Sequence, residues 1–190
     1  SGVIYVSNRS CSTSYSPFTA TYPSGLGSGC GNALISGSYS GQLTIAAEND
    51  IVIENDVMRS GDGLLGLIAN NFIRVKHPLT DNSTTRTNCD GAENASGSQT
   101  NLRIDAAMLS IQHSFIVDHY NCGDPLGTLE VNGAISQKFR GPVGTFGGGG
   151  IVSGYSKDYN YDDRLRYIAP PHFLDPVESA WRMQRQTLMP

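Results

Sequence analysis

Acidic residues recur in close pairs along this chain: Glu48 with Asp50, Glu54 with Asp56, and Asp162 with Asp163. Two carboxylates about 5 to 9.5 Å apart can share acid and base work on a glycosidic bond, and clustered acids beside a basic group can hold calcium for a lyase. On a strand, side chains two positions apart share a face and adjacent ones do not. Glu48/Asp50 and Glu54/Asp56 can therefore converge, whereas Asp162/Asp163 cannot while extended. A repeat 22 residues on puts Asn70 and Phe72 where Glu48 and Asp50 would need matching acids. Polysaccharide cleavage is thus kept as an alternative, with no catalytic residue assigned.

His77, His113, His119 and His172 show no HExxH spacing and read as surface or capping residues. No GxSxG occurs, and GPVGTFGGGG (Gly141 to Gly150) lacks the GxxxxGK[ST] of a phosphate loop, so its glycines read as a turn leaving the last repeat. No cofactor or metal is expected. Tyrosines gather between Ile151 and Tyr167 among acids and arginines. Aromatic faces stack on sugar rings, and flanking Asp and Arg can bond hydroxyls. Tyr155, Tyr159, Tyr161, Asp162, Arg164 and Tyr167 are therefore the candidate ligand or interaction surface. The competing reading has these tyrosines covering apolar structure, with ordinary surface ion pairs around them.

Those residues need a scaffold, and the pattern between Gly41 and Val75 predicts one. GQLTIAAENDIVI (Gly41 to Ile53) matches GLLGLIANNFIRV (Gly63 to Val75) at alternate positions, including Leu43/Leu65, Ile45/Leu67, Ala47/Ala69, Asn49/Asn71 and Ile51/Ile73. Period-2 agreement puts the matched side chains on one strand face, and the Ala-x-Asn segment marks a bend between two short strands. Weaker copies place Leu102, Ile104 and Ala106, then Leu129, Val131 and Gly133, in the same register, which aligns Thr44 with Gly66 and Arg103. Units of this size that cannot bury an apolar face alone stack on their neighbours. The expected fold is all-β: a right-handed parallel β-helix, its hand taken from the crossover rule. A β-sandwich is the rival, but it gives no reason for matches at a fixed offset.

One domain is expected over residues 1–190: an N-terminal strand and capping loop (1–40), coils (41–140) with an insertion at 77–100, and a Tyr-rich segment with a cap (141–190). Asn55 to Asp62 reads as an outward turn. Asp175, Pro176 and Glu178 form a helix-start pattern, and Val177, Trp181 and Leu188 share a face, predicting a C-terminal cap helix. Cys11, Cys30, Cys89 and Cys122 lack CxxC spacing and lie in polar loop segments, so Cys11–Cys30 and Cys89–Cys122 disulfides outside the cytoplasm are expected. Sequons at Asn8, Asn82 and Asn94 read as chance matches in an Asn- and Ser-rich chain. The formal charge of -4 argues against a nucleic-acid partner, and no apolar run is long enough to span a membrane. The opening SGVIYVSN reads as a mature or trimmed segment, with a leader or anchor expected upstream.

The combination of GQLTIAAENDIVIEND, LLGLIANNFIRV, LEVNGAISQKFRGPVGTF, GYSKDYNYDDRLRY and PPHFLDPVESAW resembles a group of bacterial surface proteins, many of them actinobacterial. In these, a β-helical module often follows a prepilin-like or otherwise anchored N-terminus. The coil pattern alone is more loosely similar to polymer-forming β-helices of the bactofilin type. The resemblance implies an exported, non-catalytic module of a cell surface or pilus-type assembly, with envelope or appendage subunits as partners. Surface glycans are the partners in the alternative adhesive reading.

Overall fold

The structure, a computed structural model, describes residues 2–11, 29–80 and 92–173. Within them the chain is all-β: β1 (Gly2–Val6), β2 (Ala33–Tyr39), β3 (Gln42–Ala47), β4 (Ile51–Arg59), β5 (Leu64–Ala69), β6 (Ile73–Val75), β7 (Arg103–Ser110), β8 (Phe115–Val117), β9 (Pro125–Gln137), β10 (Gly144–Gly147) and β11 (Gly150–Tyr161). A 3-10 turn, Asp163–Arg166, follows. Pairing between strands is parallel except in the β10–β11 hairpin.

The parallel pairs form three columns. The first runs β1, β3, β5, then the second halves of β7 and β9. The second joins 33–35, 51–53, β6 and β8, and Val117 N–H extends it to Pro142 O. The third joins 37–39, 57–59, 103–106, 129–133 and 157–161. Long strands such as β4 and β7 thus bend from one column into another. Alternation explains the core: Ile45, Leu67 and Met108 stack in the first column, Ile51, Ile73 and Phe115 in the second, and Val57, Ile104 and Val131 in the third. All belong to one buried cluster.

The Ala-x-Asn bend lies where expected, between β3 and β4 and between β5 and β6. At that corner Asn71 donates to Asn49 Oδ1 (3.4 Å) and Asn49 to Asn32 Oδ1 (2.7 Å), a ladder of amides across successive passes of the chain. The register of the later copies differs from expectation. Leu67 pairs with Met108, not Ile104, and Thr44 lines up with Gly66 and then Ala107, not Arg103. Alternation fixes the face but tolerates any even slip, and this one is four residues. The offset between the last two copies is as expected, with Ile104 on Val131 and Ala106 on Gly133.

Two other expectations are corrected. Asn55 to Arg59 is strand, and the turn lies at residues 60–63. The glycines from Gly141 to Gly150 do not end the sheet: they lead through a hairpin into β11, which pairs in parallel with β9 as far as Tyr161. Residues 162–173 then form a strap running back over the first column. Arg164 donates to Gly63 O and Asp62 O (both 3.3 Å), and Thr44 Oγ1 donates to Pro171 O (2.5 Å). The expected cap helix, with Val177, Trp181 and Leu188, lies outside the described residues.

Candidate functional site

The acids nominated for chemistry are engaged in holding the columns together. Asp50 and Asp118, both fully buried, flank Arg74, with Nε to Asp50 Oδ2 at 3.1 Å and Nη1 to Asp118 Oδ2 at 2.7 Å. Burial pushes the Asp50 carboxyl upward, against the pull of Arg74 and of the Phe72 N–H. Glu48 accepts from Tyr5 Oη and Asn8 N (both 2.5 Å). Glu54 pairs with Lys76 at 2.7 Å, and Asp56 Oδ1 accepts from Arg103 N at 2.8 Å. Asp163 pairs only at the surface, with Arg166 at 3.1 Å.

Asp162 and Arg164 belong to a clamp at the third column. Arg59 Nη1 reaches Asp162 Oδ2 (2.9 Å), and Arg164 Nη2 reaches the same oxygen (2.6 Å). Hydrogen bonds from Arg164 hold Asp162 down to about 2. Asp105 sits beside them: burial raises its carboxyl, but donors from Arg103, Arg59 N and Asn132 outweigh burial and leave it low. Sequence reasoning missed Arg59 and Arg74 because their partners lie 24 to 103 residues away, and it missed Asp105 because, besides Arg103 two residues before it, its donors Asn132 and Arg59 N lie 27 and 46 residues away.

The tyrosines separate. Tyr155 is a core residue, 0% exposed, with its hydroxyl on Gln99 O, so it leaves the nominated surface. Tyr159 and Tyr161 follow Val131 and Gly133 in register and stay partly exposed, and Tyr167 projects from the strap. Lys157 Nζ lies 5.8 Å from the Tyr159 ring centroid, and Arg166 is 5.8 Å from that of Tyr161.

Beside Tyr159 opens a cleft of about 380 Å³, lined by Phe115, Gln137, Arg140, Gly141, Lys157 and Tyr159. Phe115 and Tyr159 meet edge to face at 6.5 Å. Gln137 Oε1 accepts from Phe115 N (2.8 Å) and Gly141 N (3.4 Å), which fixes the side chain at the cleft. Burial lowers the Lys157 ammonium, and Arg140 lowers it further. Its remaining donors and two cations suit an anion; the sequence signal for it was only the Lys157 to Tyr159 spacing on β11.

The histidines are less superficial than expected. His77 is fully buried and pins the insertion, with Nδ1 at 3.0 Å from Asp118 O and Nε2 at 2.9 Å from Asn94 Oδ1. His119 Nδ1 meets His77 O at 3.0 Å, its ring pushed down by burial, and His113 stacks on Phe72 at 4.2 Å. The Asn94 amide also donates to Asp124 O at 3.1 Å, so this sequon is occupied structurally. Cys11 and Cys30 are joined, and Cys122 is disulfide-bonded; its expected partner Cys89 lies outside the described residues. Among the described residues no cluster of three or more His, Cys, Asp or Glu is placed to hold a metal ion, and no helix is long and apolar enough to cross a membrane. Comparison with protein-family models, with curated proteins and with solved structures finds no match.

Proposed function

We propose that the protein is an extracellular, non-catalytic structural module, wound as a right-handed parallel β-helix, that serves in a cell-surface or pilus-type assembly. The observation that carries this reading is the use made of its carboxylates. Asp50 and Asp118 are committed to Arg74, Glu54 to Lys76, Asp105 to Arg103, and Asp162 to Arg59 and Arg164. Groups that could have done chemistry are instead committed to ion pairs, and those of Asp50, Asp118, Glu54 and Asp162 with Arg59 join separate strands or the strap. The winding is supported by the repeated order of first, second and third columns, and the hand follows from the rule for parallel crossovers. Disulfides at Cys11–Cys30 and at Cys122 fit an oxidising compartment.

Envelope or appendage subunits are the proposed partners, and the two ends of the stack supply surface for them. Ile4 and Tyr5 in β1 are 49% and 61% exposed, and Phe139 and Phe146 near the other end are 54% and 64% exposed. Immunogold labelling of intact cells that make the protein tests the reading. Label along or at the tips of filaments is the expected result; label confined to the culture fluid overturns it.

A further inference from the structure

We propose that the cleft between Arg140, Lys157 and Tyr159 is a binding site for an anionic sugar, a pyranose unit carrying a carboxylate or a sulfate. This goes beyond the structural role and does not depend on it, since a surface module can carry such a site whatever assembly it joins.

The argument starts from register. In the third column Lys157 follows Leu129 and Tyr159 follows Val131, and Leu129 and Val131 are core residues, 0% and 2% exposed. Lys157 and Tyr159 therefore continue the register of Leu129 and Val131 on the last described strand, but there both side chains are exposed. Partial burial and the like charge of Arg140 both work against the Lys157 ammonium, and an anion in the cleft would relieve them. The described residues supply none: among them neither Lys157 nor Arg140 has an ion pair, and the nearest charge felt by Lys157 is the like charge of Arg140.

The rest of the lining is complementary. Gln137 has its oxygen occupied by two backbone N–H groups, which leaves its Nε2 donors without a partner among the described residues. Phe115 and Tyr159 supply an aromatic wall. Two cations and an amide donor beside aromatic rings select a ligand that is rich in oxygen, negatively charged at one point and apolar on one ring face. A volume of about 380 Å³ is within the range of small-molecule sites. The formal charge of -4 disfavours a long polyanion such as nucleic acid and favours a single acidic unit engaged locally.

The test is calorimetric titration of the full 190-residue chain with tetragalacturonate, a heparin-type tetrasaccharide, maltotetraose and sodium sulfate, at low and high salt. Salt-sensitive binding of at least one of the two acidic oligosaccharides is expected, with maltotetraose and sulfate weaker. Preference for the uronate assigns a carboxylate ligand; preference for the heparin fragment assigns a sulfated one. R140Q and K157Q should each weaken binding roughly ten-fold, as expected for loss of one charge-assisted contact. Y159A, which removes the ring from the wall, should also weaken binding, and R166Q, at an exposed cation of the strap, should not change it. Circular dichroism confirms that each variant is folded. Failure of both acidic sugars to bind at millimolar concentration overturns the proposal. Equal binding of maltotetraose or sulfate, or an equal loss in R166Q, overturns it as well.

Discussion

Arg74 shows how a polar side chain is kept inside this molecule. It is 2% exposed, and two fully buried aspartates share its guanidinium. Removing one partner from such a set leaves uncompensated buried charge. Arg74→Met should therefore lower stability by about 3 to 5 kcal/mol in denaturant titration, and adding Asp50→Asn should restore part of the loss. Asp162 differs, being paired near the surface and held down to about 2 from 3.8 by Arg164. A carboxyl depressed on folding stabilises above its unfolded value, and that contribution fades as pH falls from about 4 towards 2. Asp162→Asn should cost about 1 to 2 kcal/mol at neutral pH and flatten the acid limb of a stability-against-pH curve over that window. The surface pairing of Asp162 with Arg164 was among the sequence readings; the buried Asp50–Arg74–Asp118 set and the Asp162–Arg59 pair were not. Asp50 and Asp162 were visible as acids in pairs, but alternation says nothing about Arg74 and Arg59, 24 and 103 residues away from them.

At the scale of elements, the short strands, the Asn-marked corner and the apolar face were legible because alternation and turn residues encode them locally. The even slip of the third copy and the return of β11 into the sheet were not, since alternation is unchanged by a shift of two or four residues. The strap was invisible for another reason: its contacts with the first column depend on a missing side chain. A Cβ added at Gly66 would stand 2.6 Å from Phe173 Cδ2, 2.9 Å from Pro170 Cβ and 2.9 Å from Thr44 Oγ1. Gly66→Ala should therefore lift the strap or strain β5, at a cost of about 1 to 3 kcal/mol. Limited proteolysis should show faster cleavage between Tyr167 and Phe173, with β4 to β8 still protected.

Across the whole molecule, one device recurs. A residue on one pass bonds its neighbour on the next: Lys76 to Glu54, Arg103 to Glu130 at 3.6 Å, Asn132 to Asp105, Asn71 to Asn49. Aliphatic columns fill the core and these polar steps, some buried and some exposed, run beside them, so both depend on one parallel register. That register supports the wound scaffold we propose, and a cross-link measures it directly. Asn132 on β9 and Asn160 on β11 are register partners, whereas Glu130 is paired with Asp158, two positions away. With introduced cysteines, the 132/160 pair should oxidise readily and yield a linked peptide by mass spectrometry, and the 130/160 pair should not, because neighbouring strands lie about 4.8 Å apart and two residues add about 6.6 Å. Linkage of 130 to 160, or no linkage of 132 to 160 in a folded protein, would contradict the parallel stack.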